Sequence, residues 1–324
     1  MTRDVPAGVG RTALGVALVR AMESRRPDRL FHDPYAAAFL AAAPTVFDRD
    51  RRGAVAGLGG LSAAGAAFSS HAVIRTRFFD DHLLDVTEQG VRQVVLLAAG
   101  LDTRAYRLPW PAGVRLFEVD LAEVLDFKRR VLAKRAAVPR CDRRPVPADL
   151  CADWTVPLTG AGLRPDRPTA WLLEGLLIYL SAEETTHLLT SVGDLSVAGS
   201  RVAFEFEAAD ADTLRERAGR VPAIAEYVAL WKGGLPDVPG WLAARGWLPE
   251  KHHWADVVTR YGRAAGPSRG GFVTATAPDP ATAGRQAASG AELSGGPGPR
   301  GDPDAVADAE LGLDVREVGL HGAG

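Results

Sequence analysis

Residues 94–120 constrain the fold more than any other stretch. Val94-Val95-Leu96-Leu97 is a continuous apolar run, as a strand buried on both faces of a parallel sheet requires. It leads directly into Ala98-Ala99-Gly100 and then into the polar Leu101-Asp102-Thr103-Arg104. Small side chains after a buried strand let the backbone approach a ligand closely, at the carboxyl end of a strand where α/β proteins hold nucleotides. Twenty residues beyond Gly100 stands Asp120, closing a second strand read over 114–119. An acid at that spacing is placed to accept hydrogen bonds from both hydroxyls of a ribose. The turn alone fits any strand end, but turn, spacing and acid together point to a nucleotide-type ligand.

The rest of the chain reads as alternating strands and helices, the pattern of a parallel α/β sheet. Further strands are expected over 170–173, 201–206 and 272–277. A helix over 121–137 turns Leu121, Val124, Leu125, Val131 and Leu132 inward, and another over 183–192 follows Ser181 as N-cap. Upstream, a helix over 11–26 aligns Ala13, Leu14, Ala17, Leu18, Ala21 and Met22 on one face and ends at Pro27. Asp33-Pro34 starts a short helix through Tyr35, Ala36, Phe39 and Leu40, and 71–85 is helical again. Residues 50–67, rich in Gly and Ala, fit either a loop or a small-residue helix, and 254–261 a helix or turn.

Three parts follow. Residues 1–88 form a helical segment that contributes to the cofactor and substrate pocket, and 89–277 form the core. The core carries a helical insertion at about 207–250, with Tyr227, Trp231, Trp241 and Trp247. Residues 278–324 hold Gly, Pro, Ala, Asp and Ser in excess. They cannot bury enough surface to offset their ordering entropy, which predicts a disordered tail.

Composition excludes several classes. A formal net charge of −2 gives no electrostatic footprint for nucleic acid. Two cysteines, Cys141 and Cys151, are too few for a disulfide framework or a zinc site. His252-His253, read on a turn without an acidic cluster around it, predicts no metal site. Met1-Thr2-Arg3-Asp4 lacks the apolar core of a signal peptide, and no uncharged apolar run approaches a membrane span. The expectation is a soluble, cytoplasmic protein that engages neither membrane nor nucleic acid.

The turn itself discriminates between ligands. A dinucleotide fold wants G-x-G-x-x-G, so that a helix N-terminus faces the pyrophosphate. Here the chain reads A-A-G-L-D-T from Ala98. S-adenosylmethionine has no pyrophosphate, and its amino acid end and ribose suit this pattern better.

The same residues resemble the leucine carboxyl methyltransferase family, in its bacterial branch of S-adenosylmethionine-dependent O-methyltransferases. Leu97 to Leu108 is similar to its first motif, Phe117-Glu118-Val119-Asp120 to its second, Ala148-Asp149-Leu150 to its third and Leu173 to Leu180 to its fourth. Pro27 to Tyr35 and Ile74-Arg75-Thr76-Arg77 also fit, so the likeness spans roughly residues 10–277. It implies an α/β class I methyltransferase fold: a Rossmann-like, mainly parallel seven-stranded sheet with helices on both faces and an added helical lid.

It also implies S-adenosyl-L-methionine as cofactor, with roles position by position. Arg75 would clamp the cofactor carboxylate, with Arg11 as a looser second match. Ala98, Ala99 and Gly100 would lie beneath the methionine part, and Asp102 would either touch the ligand or stabilise its turn. Asp120 would hold the ribose beside Leu121, Asp149 and Leu150 would border the adenine, and Glu174 would meet the methionine amino group. Glu174 also stands out without the resemblance, because a carboxylate after Leu172-Leu173 in an apolar run must find a partner. Ala98 departs from the family, whose turn usually begins with Gly.

Methyl transfer from a sulfonium is an in-line displacement that depends on positioning. A carboxylate acceptor, on a small molecule such as a polyketide-type natural product, needs no base. A hydroxyl would need one, for which His71 and Tyr179 are candidates. A nicotinamide-dependent oxidoreductase and a catalytically silent S-adenosylmethionine-binding protein remain as alternatives.

Overall fold

The apolar run at 94–97 becomes the centre of one sheet. The computed structural model describes residues 9–44, 63–206, 229–263 and 270–278. Its strands are β1 (Gln93–Leu97), β2 (Arg115–Asp120), β3 (Asp142–Pro147), β4 (Thr169–Leu173), β5 (Arg201–Phe206), β6 (Leu248–His253) and β7 (Gly271–Thr276). They lie in the order β3-β2-β1-β4-β5-β7-β6. The first five run parallel, and β7 is antiparallel to both β5 and β6. This is the expected Rossmann-like α/β arrangement, with the strand order reversing direction between β1 and β4.

Helices cover both faces because β1 is buried at every position, with Val94 to Leu97 apolar. The helices are α1 (Val9–Glu23), α2 (Ala36–Ala42), α3 (Ala63–Glu88), α4 (Arg104–Arg107), α5 (Ala122–Ala133), α6 (Thr155–Gly160), α7 (Ala182–Asp194), α8 (Val238–Ala243) and α9 (Trp254–Arg260). Val94 and Leu96 share a core with Leu14 of α1, Phe79 and Leu83 of α3, Phe127 of α5 and Trp254 of α9. Val95 and Leu97 face the opposite core, with Leu158 of α6, Leu188 of α7 and Leu242 of α8. Each such fully buried side chain contributes roughly 1.5–3 kcal/mol. Local signals place the helix starts as read: Asp33 Oδ1 accepts the N–H of Tyr35 and of Ala36, and Ser181 and Glu184 form a reciprocal capping box on α7.

Several expectations change. Met22 is 38% exposed rather than inward, because α1 buries Arg20 and Glu23 in polar contacts. Leu121 is 40% exposed, since it is the N-cap of α5 and not part of its inner face. The end of the Gly- and Ala-rich stretch belongs to α3, while residues 45–62 lie outside the described residues. His252 and His253 end β6 instead of sitting on a turn, held by pairing with β7. The insertion boundary also moves, because 248–250 already belong to β6. Residues 207–228 of that insertion, Tyr227 included, and the tail at 279–324 lie outside the described residues. In the described part, Val238, Leu242 and Trp247 are buried against the sheet. Among the described residues no helix is long and apolar enough to cross a membrane.

Candidate functional site

The carboxyl ends of β1, β2, β4 and β5 bring most of the singled-out residues together, at the point where the strand order reverses. After β1 the chain turns through left-handed backbone at Ala98 (φ 53°) and Gly100 (φ 49°). A Cβ on Gly100 would lie 3.3 Å from Ala13 Cβ, so α1 crosses tightly above the turn. The Gly100 N–H donates to Asp120 Oδ2 at 2.6 Å and the Leu121 N–H to Oδ1 at 2.7 Å. Each oxygen keeps a lone pair for a ligand. Burial raises the Asp120 pKa, and those two backbone donors oppose it.

Ala98 carries the departure from the family turn as backbone strain. A left-handed non-glycine costs roughly 1–2 kcal/mol, of which glycine's greater unfolded-state entropy takes back about 0.4–1. Ala98→Gly is therefore expected to leave stability unchanged or raise it by up to about 1.6 kcal/mol. Thermal unfolding checks this, and a clear loss of stability would contradict it.

Behind the turn lies a network of buried charges. Arg75 of α3 donates from Nε to Glu174 Oε1 and from Nη1 to Glu205 Oε1, both at 2.9 Å. Glu205, at the end of β5, also accepts the Gly175 N–H at 2.9 Å. Arg104 of α4 is 1% exposed and reaches Glu174, Asp102 and Asp80. Arg107 joins Asp80 from the same helix. Arg20 of α1 donates to Leu101 O at 2.7 Å, and Asp33 accepts the Thr103 hydroxyl at 2.8 Å. The N-terminal helices thus clamp the loop after β1.

The charges set the protonation states. Burial would raise both Asp102 and Glu174, but arginines outweigh it. Arg104 first, then Lys128 and Arg20, hold Asp102 down to about 2, and Arg104 with Arg75 lowers Glu174. Glu205 is raised by burial, with Arg75 opposing and Glu174 adding to the rise. His71, one helical turn before Arg75, is lowered to about 3 by burial and then by Arg75. Its ring stacks on Trp254 at 5.0 Å.

The remaining candidates flank this centre. Asp149 is exposed after β3, with Oδ1 accepting the Cys151 N–H at 2.9 Å, and Leu150 beside it is half-buried. Tyr179 sits half-buried in a short 3-10 turn after Glu174. Arg11 lies on α1, with its side chain outside the described residues. Trp231 and Trp241 are half-buried, the latter under the Arg245 guanidinium. Sequence reading missed Arg104, Asp80, Arg20 and Glu205. Glu205 carried a usable signal, since it follows the apolar Val202-Ala203-Phe204 as Glu174 follows Leu172-Leu173.

The sequence profile of the leucine carboxyl methyltransferase family matches residues 13–193. The chain belongs to that family. A relative from Frankia alni, described as an S-adenosyl-L-methionine-dependent methyltransferase, is 51% identical over 286 residues, covering 84% of this chain and 96% of its own. A Streptomyces coelicolor relative described in the same words is 45% identical over 269 residues, 80% of this chain and 89% of its own. A crystal structure of a DUF574 family protein from Streptomyces avermitilis aligns with a TM-score of 0.52 at 16% identity. It covers 81% of this chain and 97% of that one, a likeness of fold. The strand order found here is that of the class I methyltransferase sheet, as membership of the family implies. The family match runs from α1 to α7, so it takes in Arg75, Arg104, Asp120 and Glu174 and stops short of Glu205.

Proposed function

We propose that this member of the leucine carboxyl methyltransferase family transfers a methyl group from S-adenosylmethionine to an oxygen of a small molecule. The acceptor is a carboxylate or hydroxyl, on a scaffold such as a polyketide-type natural product. Family membership makes the chain an S-adenosylmethionine-dependent methyltransferase. The oxygen acceptor and the residue roles are the added reading. What carries the residue roles is the pair of carboxylates, Asp120 and Glu174, on either side of the left-handed turn after β1, while the oxygen acceptor rests on the likeness to the family.

The donor set fits the cofactor. Asp120 keeps one lone pair on each oxygen for the ribose hydroxyls, while Gly100 and Leu121 fix its plane. Glu174 is ionised and 16% exposed, which suits an ammonium group. Arg75 spends Nε and Nη1 on Glu174 and Glu205, so Nη2 is its edge for the cofactor carboxylate. Asp149 and Leu150 border the adenine, and Ala98 to Gly100 give the close backbone approach. When bound, the cofactor supplies a methyl group on a cationic sulfur. The chain supplies positioning. For a hydroxyl acceptor His71 would be a weak base, because burial and Arg75 both disfavour its protonated form, whereas a carboxylate acceptor needs no base.

Calorimetric titration tests the site. Asp120→Ala and Arg75→Ala are each expected to weaken S-adenosylmethionine binding by roughly 10- to 100-fold, the worth of one or two charge-assisted hydrogen bonds. Unchanged affinity in both variants would refute the assignment. Methyl ester or ether formation across a panel of carboxylic acids and phenols then reads the acceptor.

A further inference from the structure

We infer that Arg104 is the positioning residue for the methionine end of the site: a single buried guanidinium locks Glu174 and Asp102 in place for the cofactor's amino group. The inference rests on the role proposed above for Glu174. Arg104 is 1% exposed and so cannot itself touch a ligand. Its Nη1 reaches two carboxylates at once, Glu174 Oε2 at 2.7 Å and Asp102 Oδ2. Nε donates to Asp80 Oδ1 at 2.7 Å, and Nη2 to Thr76 O at 3.3 Å. The Arg104 N–H returns to Asp102 Oδ1 at 2.6 Å. One planar fork therefore ties α3, the loop after β1 and the end of β4 together.

A lysine could not span these acceptors. Without a cation here, Glu174 and Asp102 would repel each other in a site that water barely enters. Arg75 takes only the other oxygen of Glu174 and is shared with Glu205, so it cannot replace Arg104. The packing of Arg104 against Asp80 and Thr76 fixes where Glu174 points.

The test uses two probes and four variants of the full chain. S-adenosylhomocysteine carries the amino acid end, and methylthioadenosine carries only the nucleoside. Arg104→Gln is expected to weaken S-adenosylhomocysteine binding at least tenfold and to leave methylthioadenosine binding within about twofold. Arg104→Lys, which keeps the charge, should recover part of the loss. Asp80→Asn, which loosens Arg104 without approaching the ligand, should give a smaller loss of the same selectivity, and it stands in should the Arg104 variants fail to fold.

The pH dependence gives a further readout. Glu174 is faced by Arg75 and His71 from α3, Arg104 from α4, Asp102 from the loop after β1 and Glu205 from β5. Removing the Arg104 charge lets Glu174 take its proton at higher pH. The acid-side loss of S-adenosylhomocysteine affinity should therefore begin at higher pH in Arg104→Gln than in the parent. Equal loss of both probes, no loss of either, or an unmoved acid limb would overturn the inference. Failure of the parent to bind S-adenosylhomocysteine, or full binding by Glu174→Gln, would instead overturn the site reading beneath it.

Discussion

Glu118→Ala is expected to destabilise the protein by roughly 3–5 kcal/mol, the cost of breaking a buried ion pair from one side. Glu118 lies on β2, two residues before Asp120, and its side chain is fully buried. Its Oε2 sits 2.8 Å from Lys128 Nζ of α5 and accepts from Arg143 Nη2 at 2.6 Å. Lys128 is also fully buried, and Arg143 packs over the Tyr106 ring. Burial lowers the Lys128 pKa, and Glu118 is the main group holding it up. Alanine would leave two cations in the core with their shared anion gone. The unfolding midpoint should fall by about 10 °C, at roughly 2–4 °C per kcal/mol for a chain of this size. Glu118→Leu with Lys128→Met should recover only the part of the loss due to Lys128, because an apolar pair replaces that ion pair at little cost while Arg143 still lacks its anion. A Glu118→Ala midpoint within a degree or two of the parent would show that water reaches these cations.

Residues 94–120 were legible because two independent demands coincide there. An apolar run must be a doubly covered strand, and an acid twenty residues later must end the next one. Glu174 was legible for a related reason, a charge set directly after buried leucines. The strands β3 and β6 were not. Asp142-Arg143-Arg144-Pro145-Val146-Pro147 buries fully only Val146, and β6 buries none of its residues fully. Both lie at sheet edges, where one flank faces no strand, so neither apolar alternation nor the exclusion of proline applies. Arg104 was hidden differently. It is one of 38 basic residues, and nothing local distinguishes a solvated arginine from one that three carboxylates enclose. Its partners come from 24 and 70 residues away, and only the folded chain assembles them.

Those enclosed charges also predict a steep loss of stability in mild acid. His71 is lowered to about 3 by burial and Arg75, and His82 to about 4 by burial, then His252 and Arg201. An unfolded histidine takes its proton near pH 6.5. Both groups have depressed folded-state values, so the stability they contribute is fully present above pH 6.5. It is lost as pH falls toward the folded values, by about 1.4 kcal/mol per pH unit for each group. Between pH 6.5 and 4.5 the pair removes on the order of 5 kcal/mol, comparable to the whole stability of many domains. Below about pH 4 the carboxylates act in the same direction, because Asp102 and Glu174 are also depressed in the folded state. Asp120 and Glu205, raised by burial, act instead above about pH 4, where taking their protons in the folded chain offsets part of the histidine loss. The unfolding midpoint should therefore be flat from pH 8 to 7 and drop steeply from 6.5 to 4.5. His82→Leu should flatten that drop by about half, since His82 Nε2 is buried without a hydrogen-bond partner and leucine loses nothing there. A midpoint that stays constant down to pH 5, or a drop that His82→Leu leaves untouched, would mean that these imidazoles are hydrated in the folded protein.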